Sequence, residues 1–109
     1  MFGKLTPGEA AISVITYGEL KFGVEKSAFP EAAALLRRFI DLVPVLPMPV
    51  AAGDHHGEQR RRLEAAGEMI GGNDLWIAAH ALADNLTLVT NNEREFCRIK
   101  ALTVENWIA

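Results

Sequence analysis

A chain of 109 residues, half of them hydrophobic, is long enough for one packed domain and too short for two. Its net charge of -3 argues against an obligate, non-specific polyanion binder, which carries a basic excess, but leaves room for a nuclease whose basic residues are gathered locally. The single cysteine, Cys97, has no partner for an internal disulfide, no apolar run approaches the roughly 20 residues of a membrane-spanning helix, and the N-terminus lacks the pattern of a secretory signal, so a reducing cytoplasm is the expected compartment.

After an atypical opening segment over 1–10, the stretch from Ala11 to Ile15 is short, apolar and β-branched and reads as a buried strand. Thr16-Tyr17-Gly18-Glu19 has the spacing of a capping box, in which the threonine hydroxyl and the glutamate each take a free amide; a helix is expected from there to about Lys26, with a structural role for Glu19. Phe29-Pro30 opens a second helix, with Ala33, Leu36 and Ile40, flanked by Leu35 and Phe39, as its buried stripe and Arg37 and Arg38 on the wet side. Leu42 to Leu46 is a second strand, and Pro44, which has no amide to donate, suits an edge.

Residues 49–66 read as a charged helix stopped by Gly67. His55, His56 and Glu58 do not make a zinc site, because adjacent histidines leave a helix on different sides and no second cluster completes a tetrahedral set. Arg60, Arg61 and Arg62 form a basic run that suits either a solvated face or a contact to phosphates or a partner.

At 71–83 two glycines free the backbone, Asn73 can cap, and Asp74 stands in the electropositive first turn of a helix whose Ile77, Ala78, Ala81 and Leu82 recur at core spacing. Taken alone, Asp74 reads as an ordinary N-terminal acid. Leu86 to Thr90 is a third strand, residues 91–96 turn the chain at its carboxyl end, and Ala101 to Trp107 gives a last strand. Strands alternating with helices imply an α/β fold with a mostly parallel sheet covered on both faces. Ligands of such sheets bind beyond the carboxyl ends of the strands, where Glu19, Asp74, Asn91, Asn92 and Glu95 all fall.

Three segments, ISVITYGELKFGV (12–24), GGNDLWIAAHAL (71–82) and TLVTNNEREF (87–96), together with the closing LTVENW (102–107), resemble the PIN-domain ribonucleases, in particular the VapC toxins of toxin-antitoxin pairs. The resemblance runs in order through nearly the whole chain from Ala11. It implies a three-layer α/β/α fold over 11–109 and a magnesium- or manganese-dependent endoribonuclease, cutting to a 5'-phosphate and a 3'-hydroxyl. It also implies a cognate VapB-type antitoxin and a homodimer. Glu19 and Asp74 match the family's acidic positions, and the last position falls on Asn91, Asn92 or Glu95, without the resemblance choosing among them.

The chain departs from the family at its start. There the family has an apolar strand ending in an aspartate, whereas Met1 to Ala10 offers only Glu9 as a carboxylate. This predicts an N-terminally truncated protein or a misplaced start, with the strands at 11–15 and 86–90 pairing directly or a second chain filling the gap. The alternative function is accordingly an inactive PIN module that only dimerises or binds antitoxin.

Overall fold

The computed structural model describes the backbone of residues 2–4 and the whole of residues 10–106; Glu9 and Trp107 lie outside the described residues. In chain order the elements are β1 (Phe2–Lys4), β2 (Ile12–Ser13), α1 (Val14–Lys26), α2 (Ala32–Leu42), β3 (Val45–Leu46), α3 (Ala51–Ala66), α4 (Gly72–Ala83), β4 (Thr87–Val89), α5 (Glu93–Phe96) and β5 (Val104–Glu105). β2 pairs in parallel with β3, and β4 in parallel with β5. The expected parallel α/β arrangement is present, divided into two ladders of order β1-β4-β5 and β2-β3.

The expected direct pairing of the strands around 12 and 88 does not occur. The backbone of Phe2–Lys4 lies antiparallel along the free edge of β4, with Gly3 opposite Leu88, and satisfies ladder groups that would otherwise be unpaired there. Pro44 behaves as an edge residue should. Its carbonyl accepts the Ile12 amide at 2.9 Å, and its missing amide costs nothing.

α1 begins three residues earlier than the capping-box pattern suggests. The Ser13 side chain accepts the Ile15 amide at 3.1 Å and is the N-cap, while the buried Thr16 hydroxyl caps nothing and has no hydrogen-bond partner among the described residues. Ser13 wins because Ile12 and Ser13 are already extended by pairing with Val45 and Leu46, so the chain turns where the ladder ends. α2 also departs from expectation: none of its residues is buried, Leu36, Phe39 and Ile40 are only half-covered, and Ala33 and Leu35 are exposed.

The core lies between α3, α4 and the β4–β5 ladder. Ala52, Gln59 and Leu63 come off one face of α3 at intervals of seven and four. They meet α4, whose residues Leu75 and Ile77 to Ala81 are all buried. Leu88, Phe96, Ile99 and Leu102 close the cluster from the other side. Gly67 ends α3 at φ 67°, ψ 30°, with its amide directed at the Glu64 and Leu63 carbonyls and the Glu68 amide 2.9 Å from the Leu63 carbonyl, a left-handed stop that glycine adopts without strain. Among the described residues no helix is long and apolar enough to cross a membrane.

Candidate active site

Asp74 is the third residue of α4, where unpaired amides and the helix dipole favour negative charge. Leu75 and Ile77 anchor the helix immediately behind it, so a half-buried carboxylate projects from a rigid base. The cap is Gly71 through its backbone, with no side-chain capping bond, so Asn73 does not fill the capping role expected of it.

Glu95 reaches the same place from α5. Phe96, fully buried next to it, pins this single turn to the core. Glu95 Oε1 accepts the Gly71 amide at 2.8 Å, and Oε2 accepts from Asn92 Nδ2 at 2.9 Å. Asn92 is held in turn by its amide, which donates to Thr90 Oγ1 at 2.9 Å. A methyl placed on Gly71 would stand 3.6 Å from Asp74 Oδ2 and 3.8 Å from Glu95 Oε1, so the two carboxylates flank one point.

Their proximity marks both groups. Burial, then the Glu95 charge and its hydrogen bond to Asp74, then the Glu19 charge, hold the Asp74 carboxyl above its usual range. The Gly71 amide, then Asn92, hold Glu95 below its usual range against the opposing effect of burial. In a carboxyl NMR titration Asp74 should therefore titrate high, and Glu95→Gln should return part of the shift. A full return would contradict burial as the leading cause, and no return would contradict the pairing.

Glu19 is exposed on α1 and lines a cleft of about 500 Å³ with Val14, Ile15, Gly18, Phe22 and Asn73, the residue before Asp74. Of the residues singled out by sequence, the structure thus joins Asp74, Glu95 and Asn92, sets Glu19 within electrostatic reach, and leaves Asn91 exposed on the turn. With Ser13 as the N-cap of α1, Glu19 is no longer three residues from the cap and the capping box expected of it does not form. Among the described residues no three His, Cys, Asp or Glu side chains form a ready-made metal cage.

The arginines of α3 are partly committed. Arg60 pairs with Glu64 at 3.1 Å and Arg62 with Glu58 at 3.4 Å, both exposed i,i+4 pairs of small energetic weight, while Arg61 is exposed beside them. Arg62 also lines a groove with Gln59, Arg98 and Lys100. His56 stacks on Trp76, ring centroids 3.8 Å apart, and joins α3 to α4 two residues beyond Asp74.

Sequence reasoning missed Arg98 and His80. Arg98 donates to the Met69 carbonyl at 2.9 Å and so braces the loop that enters α4. No local pattern signals that contact, because its two ends are 29 residues apart. His80 carries a signal that could have been read: a polar residue set inside the apolar run from Leu75 to Ala83.

Comparison with known proteins agrees with this geometry. The PIN domain family profile matches residues 3–102. Ribonuclease VapC2 of Haemophilus influenzae is 41% identical over 102 residues, covering 93% of this chain and 77% of that protein. The tRNA(fMet)-specific endonuclease VapC of Shigella flexneri is 40% identical over 104 residues, covering 94% of this chain and 79% of the relative. Among solved structures, VapBC2 from Rickettsia felis bound to a DNA fragment from their promoter superposes with a TM-score of 0.85 at 45% identity, covering 89% of this chain and 74% of the other.

Proposed function

From the membership of this chain in the PIN-domain family, among its VapC ribonucleases, we propose that it is a metal-dependent endoribonuclease that cleaves RNA phosphodiester bonds and is restrained by a VapB-type antitoxin. The observation that supports the reading is the Asp74–Glu95 pair at the head of α4, with Glu19 on α1 close enough for its charge to act on Asp74.

The donor set suits Mg2+ or Mn2+. It consists of oxygen ligands only, and the Asp74 charge that burial and then the neighbouring carboxylates disfavour is what a divalent cation would stabilise. Magnesium is commonly held by one or two carboxylates plus waters, so a site without a third preassembled acid still fits. Asp74 and Glu95 would hold the ion, with Glu19 contributing from α1 and Asn91 and Asn92 at the rim. Such an ion, when bound, supplies an activated water and neutralises charge developing on the phosphate. The chain's own residues do the rest. Asn92 and the Gly71 amide keep Glu95 ionised and aimed, and the buried base of α4 keeps Asp74 from yielding.

For the substrate, the groove of Arg62, Arg98 and Lys100 offers positive charge to an RNA backbone, with Arg60 and Arg61 on the adjoining helix. For partners, Phe22, Phe29, Leu35 and Leu42 are exposed on and between α1 and α2, which supports cover by protein, the antitoxin and a second copy of the chain being the occupants in this reading.

Purified chain incubated with RNA should cleave it in Mg2+, stop on addition of EDTA, and recover with excess Mn2+. Cleavage indifferent to EDTA would overturn the metal assignment. No cleavage with any divalent ion, together with tight antitoxin binding, would favour the inactive module, a reading supported by the lack of a three-member acidic cage among the described residues.

A further inference from the structure

His80 lies in the buried stretch of α4, six residues beyond Asp74, and the proposed reaction makes no use of it. Both ring nitrogens are engaged: Nδ1 is 2.8 Å from Ser13 Oγ and Nε2 is 3.0 Å from Asp84 Oδ2. A carboxylate can only accept, so in the neutral ring the proton sits on Nε2 and Nδ1 accepts from the Ser13 hydroxyl. Ser13 Oγ accepts in turn from the Ile15 amide. One directed chain of hydrogen bonds therefore runs from the first turn of α1, through the core, to the C-cap of α4.

Serine, histidine and aspartate in series have the makings of a hydrolytic triad, but Ser13 and His80 are 9% and 2% exposed and Ser13 is committed to its cap, so no substrate reaches them. Their placement points elsewhere. Ser13 ends β2 and starts α1, the helix that carries Glu19; His80 is on the helix that carries Asp74. The neighbouring Thr16 hydroxyl finds no partner among the described residues, so it supplies no substitute tether for that turn.

We infer that His80 is a positioning residue: by gripping the Ser13 cap it sets where α1, and with it Glu19, stands relative to Asp74. The inference rests on the reading of Glu19 as a contributor to the metal site headed by Asp74, and its test keeps the two separable. Ser13→Ala removes the hydroxyl, Ser13→Thr retains it, and His80→Phe fills the same space without hydrogen bonds. Each is assayed for kcat and KM on RNA, corrected for folded fraction, and for the distance between nitroxides on native Cys97 and on Lys21→Cys.

Ser13→Ala and His80→Phe should lower kcat about 10-fold or more with KM unchanged, and broaden the distance distribution, because misplacement of about 1 Å can cost 100-fold. Ser13→Thr should restore both. Variants that melt earlier yet keep wild-type kcat and distance would reduce the relay to a stability element and overturn the inference. If the wild-type chain cleaves no RNA, the nuclease reading fails on its own, and the distance measurement still decides: an unbroadened distribution in Ser13→Ala sinks the relay.

Discussion

Asp74→Asn is expected to lower metal-dependent RNA cleavage by on the order of 100-fold or more while leaving the metal-free protein at least as heat-stable as the wild type. The two halves have one cause. Asn keeps the shape and one oxygen but not the charge, so the proposed divalent ion loses its best-anchored ligand. In the metal-free protein that same charge is unfavourable, being partly buried beside Glu95 and within the field of Glu19.

The pH dependence follows from the direction of the shift. A carboxyl with a raised pKa binds its proton more tightly folded than unfolded. The contribution of Asp74 to stability is therefore greatest below the ordinary aspartate range and declines as pH rises through the raised value. Asn does not titrate, so thermal melts of the variant from acid to neutral pH should lack that decline. Glu95 works in the opposite sense. The Gly71 amide holds it low, so its contribution is present above the ordinary glutamate range and is lost as pH falls through the lowered value. A variant that cleaves RNA at the wild-type rate would remove Asp74 from the site. One that keeps the decline in stability between acid and neutral pH would assign it to another group.

The second large effect is on the fold. Phe96→Ala should cost about 3–5 kcal/mol, a large share of the roughly 5–15 kcal/mol that holds a domain of this kind together. Phe96 is 0% exposed and anchors a helix of only four residues, which has little stability of its own. Without the ring, Glu95 should also lose its grip on Gly71. The variant is expected to shift the urea midpoint down and, in whatever fraction stays folded, to bring the Asp74 titration back toward its ordinary range. A loss below about 1 kcal/mol would mean that the cavity collapses with little penalty and that Phe96 is not the anchor.

Much of the site was legible before any fold was known. Asp74 at the head of a core helix could be read from Gly-Gly-Asn-Asp and the apolar spacing behind it, and family resemblance added Glu19. Choosing among Asn91, Asn92 and Glu95 was beyond reach. In the fold Glu95 accepts the amide of Gly71, 24 residues away, and Asn92 steadies it, contacts that no local pattern announces. The apolar stripe of α2 was legible as a pattern, but its burial was not, since a stripe states what a helix could bury and leaves open whether a neighbour arrives to cover it.

What the sequence by itself determined about this protein is whatever acts within a few residues: the left-handed stop at Gly67, the edge position of Pro44, the all-buried face of α4 and the acid at its tip. Only the tertiary structure decided that Ser13 rather than Thr16 caps α1, that residues 2–4 lie antiparallel on β4, and that His80 closes a bond across 67 residues of chain. The physical reason is one of range. Local capping pattern pointed to Thr16, and the cap moved to Ser13 because of the strand register and a buried imidazole that needed a partner.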